Sequence, residues 1–203
     1  MTSPAKNDDL HGNVPDTSPV ALLIVDMIND LEFPGGDQLA KQMIPVAERI
    51  SALRQRAKGL GIPTLYVNDN FGRWQSDLRA VLAHCLEDDV RGRRMVQQLV
   101  PDDDDYFVLK PKHSGFYSTT LDTLLAYLKA TTPIVTGIAG NSCVLFTAND
   151  AFMRDFHVIV PSDCVASINP ADNAYALRQM RDVLGADTTP STDLDLGSLR
   201  TGR

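Results

Sequence analysis

Three polar residues stand directly beyond short apolar runs. Asp26 follows Val20-Ala21-Leu22-Leu23-Ile24-Val25, and Lys110 follows Tyr106-Phe107-Val108-Leu109. Cys143 follows Pro133-Ile134-Val135-Thr136 after a turn of mostly small residues, Gly137-Ile138-Ala139-Gly140-Asn141-Ser142. A carboxylate, an ammonium and a thiol brought together are the parts of nucleophilic catalysis. The thiolate is the reactive form; a free cysteine has a pKa of about 8.5, and a helix N-terminus or a nearby lysine favours the anion. Asp26 is suited to take the thiol proton and return it to a leaving amine. Free backbone N–H groups in the small-residue turn would hold an oxyanion, typically worth about 3 kcal/mol per donor. Each residue also has a plainer role: a turn-capping Asp, a solvated Lys, a Cys that packs as a small hydrophobe. Their joint occurrence at three run ends weighs toward chemistry. His113 is a rival base that would give a Cys–His pair, a choice that geometry decides.

The surrounding pattern says how these residues would meet. Apolar runs of strand length are expected at 21–25, 62–68, 106–109, 133–136 and 158–160, with an edge strand near 188–189. Helical spacing covers 38–58, where Leu39, Met43, Val46, Ile50, Leu53 and Ala57 recur at steps of three or four. Further helices are expected at 77–85, 91–99, 119–130, 143–154 and 173–184. Alternating strands and helices with wholly apolar strands imply a three-layer α/β/α fold on a mostly parallel, doubly wound sheet of about six strands. In such sheets ligands bind beyond the carboxyl ends of the strands, at the topological switch point. Asp26, Lys110 and Cys143 all fall there.

Composition narrows the class. The chain has 203 residues, 43% hydrophobic and 22% charged, as expected for one soluble domain. Residues 1–18 read as a flexible tail, 19–190 as the domain and 191–203 as a C-terminal tail. The formal net charge of −7 argues against nucleic-acid or anionic-membrane partners. No apolar run approaches the roughly 20 residues of a membrane span, and the N-terminus lacks a signal-peptide core. The three cysteines include no CxxC pair, so neither a disulfide framework nor a zinc knuckle is expected. A reducing, cytoplasmic setting follows. Cys85 and Cys164 read as packing residues, His157 and His11 as structural, and Asp163 as an acceptor of backbone N–H groups near the site. The Asp102–Asp105 run reads as a solvated turn. Neither a dinucleotide loop nor a GxxxxGK[ST] loop is present, which disfavours nicotinamide-cofactor and nucleoside-triphosphate enzymes.

The motifs themselves resemble those of isochorismatase-like cysteine hydrolases. Ala21-Leu22-Leu23-Ile24-Val25-Asp26-Met27-Ile28-Asn29-Asp30 is similar to the family's first-strand motif, and Lys110-Pro111-Lys112-His113-Ser114-Gly115-Phe116 to its lysine motif. Gly137-Ile138-Ala139-Gly140-Asn141-Ser142-Cys143-Val144 resembles the nucleophile turn. The resemblance covers residues 19–190. It implies Asp26 as general base and acid, Lys110 rather than Lys112 as its partner, and Cys143 as nucleophile. It also implies an oxyanion hole from the N–H groups of Ala139 and Cys143, a cis peptide at Ile138–Ala139, and a homodimer or homotetramer. The implied activity is hydrolysis of a C–N bond in a small amide or carbamoyl compound through a thioester. Nicotinamidases of the family bind a metal through an Asp and several His after the second strand. Here the segment reads Asp69-Asn70-Phe71-Gly72-Arg73-Trp74, with no His before His84, so no metal and no other cofactor is expected. Phe71 and Trp74 would wall the pocket, with Asn70 or Arg73 fixing a polar group; equally, Trp74 packs under its own loop. Phe116 and Tyr117 are further pocket candidates, with core packing preferred for Phe116. Two alternatives differ in class: a vinyl-ether hydrolase, which has no need of the thiol, and a non-catalytic scaffold, against which the intact Asp26, Lys110 and Cys143 argue.

Overall fold

A computed structural model describes residues 17–71 and 77–201. Five strands form one parallel sheet: β1 (Val20–Val25), β2 (Thr64–Asp69), β3 (Tyr106–Lys110), β4 (Thr132–Ile138) and β5 (Val165–Ala166), in the order β3-β2-β1-β4-β5. Helices cover both faces. In the central strand β1 every residue is buried. Val20, Leu22 and Ile24 share a core with α1 (Gly36–Gly59), α2 (Leu78–Glu87) and α3 (Arg93–Val96). Ala21, Leu23 and Val25 pack in a second core with α4 (Leu121–Leu128), α5 (Leu145–Phe152) and α6 (Pro170–Leu184). Because successive strand side chains point to opposite faces, a strand between two helical layers must be apolar throughout.

The helices follow their sequence signals. In α1, Leu39, Met43, Ala47, Ile50, Leu53 and Ala57 form the buried stripe. Asp77 caps α2 by accepting the Ala80 N–H at 2.7 Å. In α6, Asn169 accepts the Ala171 N–H at 2.9 Å, Pro170 starts the helix, and Gly185 ends it at φ 64°.

Three expectations need correction. The sheet has five strands, not about six. The run at 158–160 and the edge near 188–189 reduce to single bridges, Ile134 to Ile159 and Ile159 to Asp187. Pro161 follows at once with no N–H to extend the ladder, and Asp187 Oδ1 captures the Thr189 N–H in a turn. The C-terminal stretch is not a simple tail: Leu194 and Leu196 are buried, and α7 (Leu196–Thr201) follows. The Arg56 guanidinium donates to the carbonyls of Ser191 and Leu194, both at 2.6 Å. Two isolated leucines carry no periodicity, so the sequence pattern did not reveal this packing. Last, the acidic run is paired rather than merely solvated: Arg54 meets Asp102 and Asp105, and Lys58 meets Asp102 and Asp104. Of the N-terminal stretch, residues 1–16 lie outside the described residues. Among the described residues no helix is long and apolar enough to cross a membrane.

The close approach of β1 and β4 depends on Gly137. Its φ is 112°, and a Cβ there would stand 2.0 Å from the Val25 carbonyl oxygen. Gly137→Ala is expected to cost more than about 2 kcal/mol, the range of overpacking combined with backbone strain. Thermal denaturation followed by circular dichroism would show a lowered midpoint; an unchanged midpoint would mean the two strands can separate freely.

Candidate active site

The switch point of the sheet lies between β1 and β4, whose connections run to opposite sides. Registers set the level at which the strands end. Val25 pairs with both Val67 and Gly137, and Asp69 pairs with Lys110. Asp26 leaves β1 with a left-handed φ of 52° and donates its N–H to the Val67 carbonyl at 3.0 Å. Lys110 ends β3, fully buried. Cys143 sits in a single π-helical turn, Gly140–Val144, that runs into α5.

The three sequence-predicted residues come together. Lys110 Nζ lies 2.8 Å from Asp26 Oδ2 and 3.4 Å from Cys143 Sγ. It also approaches the Lys112 carbonyl at 3.2 Å and Asp69 Oδ2 at 3.4 Å. The second oxygen of Asp26 accepts the Asp69 N–H at 2.6 Å, and its carboxylate lies near enough to the Cys143 thiol to act on its ionisation. A buried ammonium is tolerable only when paired in this way.

Burial raises the Asp26 pKa above its ordinary value, against the pull of Lys110. Burial also acts to lower that of Lys110, but the neighbouring carboxylates, Asp26 first and then Asp69, raise it and hold the lysine protonated. For Cys143, burial and then the Asp26 carboxylate push the thiol up to about 12, with Lys110 opposing. The expectation of a resting thiolate is therefore corrected: the resting sulfur keeps its proton beside a carboxylate that can take it.

Residues to which the sequence reading gave no role hold this arrangement in place. Asn68 clamps the loop after Asp26, accepting the Ile28 N–H at 3.1 Å and donating to the Ile28 carbonyl at 2.9 Å. Thr147 accepts the Gly115 N–H at 2.9 Å and donates to the Cys143 carbonyl at 2.7 Å, tying the lysine loop to the nucleophile turn. Ser167 accepts the Asn141 N–H and donates to Asn173. The visible signal for Asn68 was a polar residue closing an apolar strand. The Ile138–Ala139 peptide is cis.

A cleft of about 400 Å³ opens over Cys143. Asp26, Asp69, Ile138, Ala139, Ser142 and Cys143 line it, together with Asn29, Phe33, Leu39, Phe71, His113 and Ile168. Of the expected pocket residues among those described, only Phe71 lines it. Asn70 is buried and its N–H donates to the Lys110 carbonyl, so it supports the strand end. Phe116 is in the core, packed against Phe156 and beneath the Arg154 guanidinium. Tyr117 is exposed away from the cleft. Trp74 and Arg73 lie outside the described residues. His113 lines the cleft edge-on to Phe146, while Lys110 and Asp26 are the groups that meet the sulfur. Cys85 and Cys164 are buried, as packing cysteines would be. Asp163 accepts the Ser191 N–H and hydroxyl, which anchors the C-terminal stretch outside the cleft. Among the described residues no three His, Cys, Asp or Glu side chains form a ligand set.

Comparison with known proteins adds ancestry. The Isochorismatase domain family matches residues 20–193. An uncharacterized isochorismatase family protein of Bacillus subtilis, YaaI, is 46% identical over 169 residues, spanning 83% of this chain and 92% of its own. An isochorismatase family protein of Desulfovibrio vulgaris superposes with a TM-score of 0.71 at 26% identity, covering 91% of this chain and 100% of that one. N-carbamoylsarcosine amidase from Thermoplasma acidophilum superposes with a TM-score of 0.65 at 27% identity, covering 87% and 98%.

The raised thiol pKa has a direct consequence. Iodoacetamide is expected to label Cys143 ahead of the buried Cys85 and Cys164, at a rate still climbing between about pH 7 and 10, because the thiolate fraction grows until the pKa is passed. Asp26→Asn removes a negative charge that disfavours the thiolate, so labelling at fixed pH should speed up. A rate that levels off near pH 8, or slows in the variant, would contradict the electrostatics.

Proposed function

This chain belongs to the isochorismatase family, and from that premise we propose that it is a cysteine-dependent hydrolase of a C–N bond in a small amide or carbamoyl compound. The observation that carries the reading is the meeting of Cys143 Sγ, Lys110 Nζ and Asp26 Oδ2 beneath the cleft. A cavity of about 400 Å³ with mixed apolar and polar walls suits a small molecule. The kinship with a carbamoylsarcosine amidase supports the reaction class.

The steps follow from the positions. The substrate carbonyl carbon meets Sγ, and as the C–S bond forms the thiol proton passes to Asp26. The carbonyl oxygen becomes an oxyanion held by the N–H groups of Ala139 and Cys143. The tetrahedral centre collapses, the C–N bond breaks, and Asp26 returns its proton to the departing nitrogen, which leaves as ammonia or an amine. The thioester that remains is cleaved by water, whose proton Asp26 accepts and delivers to the sulfur as the acid leaves. Lys110 stays protonated throughout. It orients Asp26 and offsets the negative charge that passes between oxygen and sulfur. A raised Asp26 pKa makes it a stronger base than an exposed carboxylate.

Ammonia release from a panel of small amides and carbamoyl compounds tests this. Activity should vanish in Cys143→Ala, and fall by about 10²–10⁴ in Asp26→Asn. Turnover by Cys143→Ala at the wild-type rate would remove the thiol from the mechanism. In the wild type, kcat/KM should fall on the acid side as Asp26 gains a proton, with a midpoint above the ordinary carboxylate value of about 4. A midpoint at or below that value would contradict Asp26 as a base made stronger by burial.

A further inference from the structure

Asp69 is the cleft carboxylate that the steps above leave without a task. It ends β2 beside Lys110, lines the cleft, and its side chain is 32% exposed, against 7% for Asp26. Its two oxygens have different surroundings. Oδ1 accepts the Phe71 N–H at 2.6 Å, which fixes the side-chain rotation. Oδ2 lies 3.4 Å from Lys110 Nζ, whose closer partner is Asp26 at 2.8 Å, so Oδ2 retains acceptor capacity toward the open side. Cys143 Sγ lies at the same 3.4 Å from the same nitrogen. The nucleophile and a fixed acceptor therefore share one neighbour, Lys110 Nζ, and line the same cleft.

The geometry points to Asp69 as a substrate-positioning residue that accepts an N–H from the scissile –NH₂ group. The inference rests on the amidohydrolase reading and deepens it by naming what the site recognises: an uncharged primary amide or carbamoyl group. An amide nitrogen directed at Oδ2 leaves its carbonyl carbon facing Sγ. An ester offers oxygen lone pairs at that place and meets a carboxylate that repels them. A carboxylate-bearing leaving group meets like charge. A site that pairs an N–H discriminates against the analogue lacking it, because Oδ2 then loses its partner on the cleft side and meets oxygen lone pairs instead.

The test compares a primary amide with the methyl ester of the same acid, in wild type and in Asp69→Asn. Asparagine keeps an oxygen for the Phe71 N–H and places a donor where Oδ2 stood. Any disturbance of Lys110 or Cys143 acts on both substrates, so the amide-to-ester ratio of kcat/KM isolates the recognition. That ratio should fall at least about tenfold, the scale of one lost hydrogen bond to a charged group. Asp69→Ser, which also retains a short acceptor, gives the same readout should the first variant fold poorly. If the wild type cleaves the amide and the ratio is unchanged in the variants, Asp69 has no such role and the amidohydrolase reading stands. If the wild type releases no ammonia and forms no adduct on Cys143, that reading fails and the role of Asp69 falls with it.

Discussion

The arrangement turns on a lysine ammonium with no access to water. Burying such a charge costs several kcal/mol unless neighbours compensate it, and here Lys110 is surrounded by Asp26, Asp69, the Lys112 carbonyl and the Cys143 sulfur. Those groups come from four places in the chain. They coincide because parallel pairing brings the ends of β1, β2 and β3 to one level and the turn after β4 over them. Fold and site are thus one constraint: a strand out of register would leave an unpaired ammonium in the core.

The same burial governs the sulfur. A desolvated thiol next to a carboxylate holds its proton, and the lysine only partly offsets this. Reactivity then comes from proton transfer during attack rather than from a standing anion. A sulfur that rests protonated also limits chance alkylation and oxidation, which require thiolate. Phe33, Leu39 and Ile168 add apolar surface to the same cleft.

Much of this was legible in the residues, and the exceptions have physical causes. β1 declared itself by six apolar residues in a row, and α1 by its three- and four-residue spacing. Asp26, Lys110 and Cys143 were legible because each follows an apolar run, where the switch-point rule directs attention. The cleft walls were not. Phe33 and Leu39 reach the site from the loop after β1 and from α1, and Ile168 from the turn after β5, positions that only the folded chain brings near. Phe116 closes the lysine motif and Tyr117 follows it, yet the turn sends one into the core and the other to the surface. The sixth strand failed because Pro161 cut short a run that composition alone favoured. Asn68 and Ser167 were given no role because their partners are backbone groups distant in sequence.

Whether Asp26 and Lys110 act as one unit is open to a double-mutant cycle. Turnover of the best amide substrate would be measured in Asp26→Asn, Lys110→Met and the pair together, with each protein first shown to be folded. If the two share one task, the double variant should be no worse than the poorer single one by more than about threefold. Losses that multiply across the cycle would show that the two residues work independently, and would contradict the account of a single buried charge assembly driving the chemistry.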